Sequence, residues 1–171
     1  MRRLLAAALL ALTPGLGSGA ATAQSAANGA QFGDWTLRCV AEGVGETSCA
    51  LIQRLAQAET NAFVAEVGLN VVEAEDGRRT LMILLTPEGT ALSLRPAYVV
   101  DQSGDQVALN WRTCAKGVCR AAAVLTLEQE TALMTGRRIT LAYQFSGRDA
   151  PLRATLSLSG VTAGLAALRE E

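Results

Sequence analysis

Cys39 and Cys49, ten positions apart, and Cys114 and Cys119, five apart, are the residues of this chain best equipped for chemistry. Such thiols can form disulfides, exchange electrons or hold a soft metal. Redox exchange ordinarily uses Cys-x-x-Cys at a helix start, where the dipole lowers one thiol's pKa, and neither spacing fits. Zinc sites need deprotonated thiolates at knuckle spacing, whereas an exported chain meets conditions that favour oxidation. Disulfides are the remaining use. Four cysteines allow three pairings. Local pairing, Cys39–Cys49 and Cys114–Cys119, is the simplest, because each pair flanks a glycine-bearing turn between strand candidates. Loops this short are worth about 2–3 kcal/mol each in a chain-entropy model. A long-range pairing would be worth more there, so energy alone does not choose.

Other chemistry is sparse. The chain has no histidine, which removes the commonest general base and metal ligand. No Gly-x-Ser-x-Gly elbow is present, and a Ser–Lys dyad would have to use Lys116, the single lysine, at the tip between Cys114 and Cys119. Gly43-Val44-Gly45 lacks the third glycine and following helix of a dinucleotide loop. Glu73, Glu75, Asp76, Asp101 and Asp105 could supply a carboxylate pair or a calcium site. They fall at strand ends and turns, where acidic residues are ordinarily solvated. The expectation is therefore no catalytic residue, no cofactor and no metal site.

The elements that position these residues begin after a leader. Met1-Arg2-Arg3 is a basic start, Leu4 to Leu12 an apolar run, and Ala21-Thr22-Ala23 a small-x-small cleavage pattern. Nine apolar residues are too few to span a bilayer, which needs about 20. Residues 1–23 thus read as a cleaved signal peptide, 24–31 as a flexible lead-in, and 32–169 as one domain. Two of the 15 basic residues lie in the leader, leaving 13 against 16 acidic and a net charge of −3. A mildly acidic chain with scattered arginines does not read as a nucleic-acid binder.

Period-two alternation dominates the rest. Asp34 to Val40 places Trp35, Leu37 and Cys39 on one face, and Ser48 to Leu55 forms the partner strand across a turn at Glu42 to Glu46. Ala62 to Val72 and Arg79 to Leu85 form a hairpin through Asp76-Gly77. Further strand segments are Leu92 to Leu94, Tyr98 to Asp101, Gln106 to Trp111, Val118 to Leu125, Arg138 to Phe145 with Ile139, Leu141, Tyr143 and Phe145 inward, and Leu152 to Leu158 with Leu152, Ala154, Leu156 and Leu158 inward. Two short helices are predicted: Glu128 to Thr135, capped by Thr126 and stopped by Gly136, and Thr162 to Arg169 after Gly160. Trp35 and Trp111, which precede cysteines by four and three positions, read as core aromatics packed on disulfides in preference to an exposed binding platform. Many short strands with regular turns predict an all-β antiparallel sandwich or barrel.

Several of these segments also carry a family pattern. Trp35-Thr36-Leu37-Arg38-Cys39 followed by Cys49-Ala50-Leu51-Ile52-Gln53 resembles the opening of the invasion-associated locus B family of bacterial envelope proteins. Thr86-Pro87-Glu88-Gly89, Val99-Val100-Asp101, Cys114 to Arg120 and Ser157-Leu158-Ser159-Gly160 continue the match over about residues 32–168. Val161 departs from it, where an aromatic is expected. The resemblance implies an immunoglobulin-like antiparallel β-sandwich with one or two short helices. It implies export to the periplasm, with outer-membrane association or secretion as variants, and a link to host-cell invasion in some members. The expected function is a non-enzymatic binding module whose partner is an envelope or host protein. A carboxylate-using enzyme and a structural, chaperone-like envelope factor are the alternatives.

Overall fold

The structure, a computed structural model, describes residues 28–102 and 104–170. The leader, residues 24–27 of the lead-in and Ser103 of the Ser103-Gly104-Asp105 turn lie outside the described residues. The elements follow in the order β1 (Gln31–Phe32), β2 (Trp35–Gly43), β3 (Glu46–Ala56), β4 (Phe63–Ala74), β5 (Gly77–Pro87), β6 (Ala97–Val100), β7 (Val107–Ala108), β8 (Asn110–Ala115), β9 (Val118–Val124), α1 (Leu127–Thr135), β10 (Arg138–Tyr143), β11 (Leu152–Ser157) and α2 (Val161–Glu170). The strands form two antiparallel sheets. One has seven strands in the order β1-β2-β3-β4-β5-β9-β8, and the other has four, β11-β10-β6-β7.

Alternation explains how the sheets meet. Trp35 and Leu37 of β2, Leu51 of β3, Val67 and Leu69 of β4, and Met82 and Leu84 of β5 point inward from the large sheet and are fully buried. Tyr98, Ile139, Leu141, Tyr143 and Leu156 meet them from the small sheet. The result is the antiparallel sandwich expected from the sequence, with unequal layers. Helix α2 completes the smaller layer, burying Val161, Leu165 and Leu168 against β3 and β4. Gly164 permits that approach, since a Cβ there would stand 2.4 Å from a Leu51 methyl.

Local signals set the helix ends. Thr126 caps α1 in a capping box with Gln129, and Gly136 ends it. Gly160 precedes α2 at φ +95°, and a Cβ on it would stand 1.9 Å from the Phe32 carbonyl oxygen. Only glycine fits both the left-handed conformation and the contact.

Five segments differ from their reading by sequence. Asn28 to Ala30, placed in the lead-in, are tied to β2: Gly29 N–H donates to the Leu37 carbonyl, Leu37 N–H to that of Ala30, and Asn28 bonds the Cys39 backbone. Leu92 to Leu94 is a turn, with both leucines exposed, and among the described residues no strand lies beside it to accept its ladder bonds. Gln106 to Trp111 is two strands. The chain leaves the small sheet after Ala108, buries Leu109 and joins the large sheet at Asn110. Phe145 lies past the end of β10, half-buried and edge-to-face with Tyr143 at 5.5 Å. Trp35, by contrast, is fully buried in the core position its period assigns. Its indole N–H crosses to the small sheet, donating to the Ser157 carbonyl at 3.0 Å. Trp111 is half-buried on edge strand β8, and its indole donates to the Leu94 carbonyl at 2.9 Å.

Candidate functional site

The two cysteine pairs face each other across neighbouring strands. Cys39 lies opposite Cys49 between β2 and β3, and Cys114 opposite Cys119 between β8 and β9. Their sulfurs are 2.16 and 2.05 Å apart, at bonding distance. Each pair closes a hairpin at a different edge region of the large sheet, and Lys116 and Gly117 form the tip beyond the second.

Glu73, Glu75 and Asp76 share the β4–β5 hairpin, whereas Asp101 and Asp105 lie beside the small sheet. Glu73 pairs with Arg78 at 3.5 Å across the β4–β5 hairpin, while Asp76 pairs with Arg79. The Arg79 hydrogen bond holds the Asp76 carboxyl below its ordinary pKa despite some desolvation. Asp101, at φ +50°, uses both carboxylate oxygens to accept from the backbone N–H groups of Arg137 and Arg138. This role is structural, since it terminates β6 against β10. Asp105 is exposed on the wall of a 450 Å³ cavity between β6–β7 and the start of α1. Among the described residues, no group of three or more Cys, Asp or Glu could hold a metal ion.

Three interior polar residues bear on the chemistry; alternation already places Tyr143 inward, whereas Gln53 and Glu130 escaped the reading by sequence. Gln53 points inward from β3 and joins the sheets: its side-chain N–H group donates to the carbonyls of Asp34 and Ser157, both at 3.1 Å, and its oxygen accepts from Ser157 N–H at 3.0 Å. Its signal was a polar residue at an inward position between Leu51 and Leu55. Glu130 of α1 is only 5 % exposed and sits between the Thr80 hydroxyl, 2.7 Å away, and the Arg169 guanidinium of α2. Burial alone would raise its pKa, but those two donors together hold it below the ordinary value. Burial pushes the Tyr143 hydroxyl up to about 12, where it donates to the Val64 carbonyl at 2.6 Å. None of these three stands beside a second group suited to acid–base transfer, and their partners are structural.

The feature with binding chemistry is the other side of the seven-stranded sheet. Register places three cross-strand rows on its outer face. The middle row is Thr36, Ile52, Gly68, Ile83 and Ala122; one flank carries Arg38, Ala50, Asn70, Leu81 and Val124, and the other Arg54, Glu66, Leu85 and Arg120. Ile52, Leu81, Ile83 and Leu85 are half-buried by their neighbours alone, and Val124 is 52 % exposed. Both helices and the small sheet pack on the opposite face, so among the described residues no element covers this one. Leu81-Met82-Ile83-Leu84-Leu85 is apolar on both faces of β5. An unbroken apolar run is the signature of a strand covered on both sides, whereas a half-solvated antiparallel strand alternates. Arg38, Arg54 and Arg120 are exposed around this centre, with Glu66 the single acidic residue in the three rows. Arg54 stacks 4.9 Å over the Phe63 ring.

Comparison with known proteins fits this architecture. No curated protein matches the chain. A solved structure, the invasion associated protein B from Bartonella henselae, shares the fold with a TM-score of 0.68 at 23% identity, covering 82% of this chain and 94% of that one. The family model for the invasion associated locus B (IalB) protein matches residues 35–169, which hold both cysteine pairs, the sheet-joining Gln53 and the sandwich from β2 onward into α2. The chain belongs to the invasion associated locus B family.

Proposed function

We infer that this protein is an exported, non-enzymatic interaction module of the bacterial envelope. The observation that carries the reading is the uncovered apolar outer face of the seven-stranded sheet, set in a scaffold closed by two cysteine pairs. Exposed contiguous apolar surface is costly in an isolated domain and marks an interaction site. The leader pattern at Ala21 and Ala23 and the paired cysteines support a periplasmic location, with outer-membrane association or secretion as variants. The arginine partners of Glu73 and Asp76 and the backbone partners of Asp101 support binding over carboxylate chemistry. The partner on this reading is an envelope or host protein.

Osmotic-shock fractionation followed by intact-mass analysis and native electrophoresis tests it. The expected result is release with the periplasmic proteins, a mass lacking residues 1–23, and migration in a complex larger than the chain alone. A cytoplasmic protein that retains residues 1–23 would overturn the export reading. Loss of a cellular phenotype on replacing Asp101, Asp105, Glu73 or Asp76 by its amide, with folding and partner capture intact, would overturn the binding reading.

A further inference from the structure

We propose that the outer face of the seven-stranded sheet is the seat of an amphipathic helix from a partner protein, with an apolar stripe and acidic residues on both flanks. This inference rests on the interaction-module reading and specifies its partner. Three observations define the occupant.

The first is a trough. Gly68 lies mid-strand in β4, between Ile52 on β3 and Ile83 on β5. Its φ is not positive, and a Cβ there would meet only ordinary contacts, 3.8 Å from Ile83 Cβ and 4.0 Å from the Leu51 carbonyl oxygen. Neither backbone conformation nor internal packing therefore requires glycine, although a bare glycine weakens a strand. Its absent side chain leaves a floor two strand spacings wide, about 10 Å. That is the width of one helix.

The second is charge. Arg38 on β2 and Arg120 on β9 stand two strands to either side of β4. A helix lying along β4 would bring acidic side chains on both its flanks to these guanidinium groups. The row of Arg38 passes through Asn70 and that of Arg120 through Glu66, four residues apart on β4. That offset is about 13 Å along the strand, or roughly nine residues of helix. The partner should thus carry acidic residues on opposite flanks separated by about nine positions.

The third is what the face rejects. A second copy of this chain would set arginines against arginines. A flat bilayer meets a sheet whose strands each rotate by about 20–25°, so it cannot touch the arginines on both flanks at once. A helix is the element that fills the trough and reaches both sides, completing a third layer on the domain.

Site-specific photocrosslinking in the cells that make the protein tests this. Para-benzoylphenylalanine is placed at Ile83 on the trough wall and, for comparison, at Leu94 in the exposed β5–β6 connection. The expected result is an adduct at Ile83 whose cross-linked peptide, by mass spectrometry, is an acid-flanked amphipathic segment. The adduct should fall at least tenfold in Gly68→Val, which fills the trough, and at least fivefold in the Arg38→Glu/Arg120→Glu double variant. Gly68→Val should melt no lower than the parent; if it fails to fold, the double variant, altered only at exposed positions, carries the test. Adducts at Ile83 with lipid or with a second copy of the chain would overturn the proposal. So would a partner insensitive to all three substitutions. Adducts at Leu94 without any at Ile83 would overturn this seat and leave the interaction-module reading standing. No adduct at either position would overturn both.

Discussion

The two faces of the seven-stranded sheet are built from the same strands and live under different rules. On the inner face, Leu84 and Met82 are fully buried, and the polar intruders are tied down: Gln53 bonds Asp34 and Ser157, and Thr80 bonds Glu130. On the outer face, Ile83 and Leu85 alternate with them along the same strand, where among the described residues no helix or second sheet packs on them. The inner face is finished by intramolecular packing. The outer face has a half-buried apolar centre within a ring of exposed arginines. The difference separates what the chain needs in order to fold from what it retains for another molecule.

Paired truncations on adjacent residues test this contrast most strongly. Leu84→Ala should cost about 2–5 kcal/mol, because it leaves a cavity in a closed core. Leu85→Ala, half-exposed beforehand, should cost no more than about 1 kcal/mol. Urea unfolding of both variants gives the comparison. Equal losses would mean that the outer face is already packed in the isolated protein, and the distinction would collapse.

Reduction comes next. Each cysteine pair should contribute about 2–3 kcal/mol to the oxidised protein, so thiol treatment should lower the melting temperature. Non-reducing peptide mapping should recover Cys39 linked to Cys49 and Cys114 linked to Cys119. A Cys39–Cys114 peptide would contradict the pairing. Gln53→Leu should then cost about 1–3 kcal/mol, since it strands the Ser157 N–H and the Asp34 carbonyl in the interior. A loss below that range would show that the bridge between the sheets is dispensable.

The smallest expected effect is a slope. Glu130 has a depressed pKa in the folded state, so its contribution is complete above the ordinary glutamate pKa and is lost as pH falls through the lowered folded value. The stability difference between the parent and Glu130→Gln should be widest near neutrality and narrow in acid below the ordinary glutamate range. A difference that grew in acid would reverse the sign of the pKa shift.

Much of the inner face was legible in the sequence, because alternation is a local signal. Trp35, Leu37, Ile139, Leu141 and Leu156 occupy the positions their period assigned, and Thr126, Gly136 and Gly160 mark helix boundaries through chemistry confined to a few residues. The cysteine spacings pointed to the hairpins that bring each pair together. The errors have a common cause. Leu92 to Leu94 has strand-like side chains and no neighbouring strand, and Gln106 to Trp111 keeps its alternation while changing sheets at Leu109. Trp35 finds its partner at Ser157, 122 positions away. Periodicity records which side of a strand a residue occupies, not which strand lies beside it.

The candidate surface divides in the same way. Sequence alone determined the apolar run from Leu81 to Leu85, the arginines, the absent histidine and the paired cysteines, since these are properties of residue type and local order. Tertiary structure alone decided that the run lies inside a sheet that, among the described residues, is covered on one side. It also set Gly68 between Ile52 and Ile83, and Arg38 and Arg120 on opposite flanks of β4. Those placements depend on pairing strands from distant parts of the chain, β5 with β9 above all. Such register is fixed by the cooperative burial of the whole core and not by any segment taken singly.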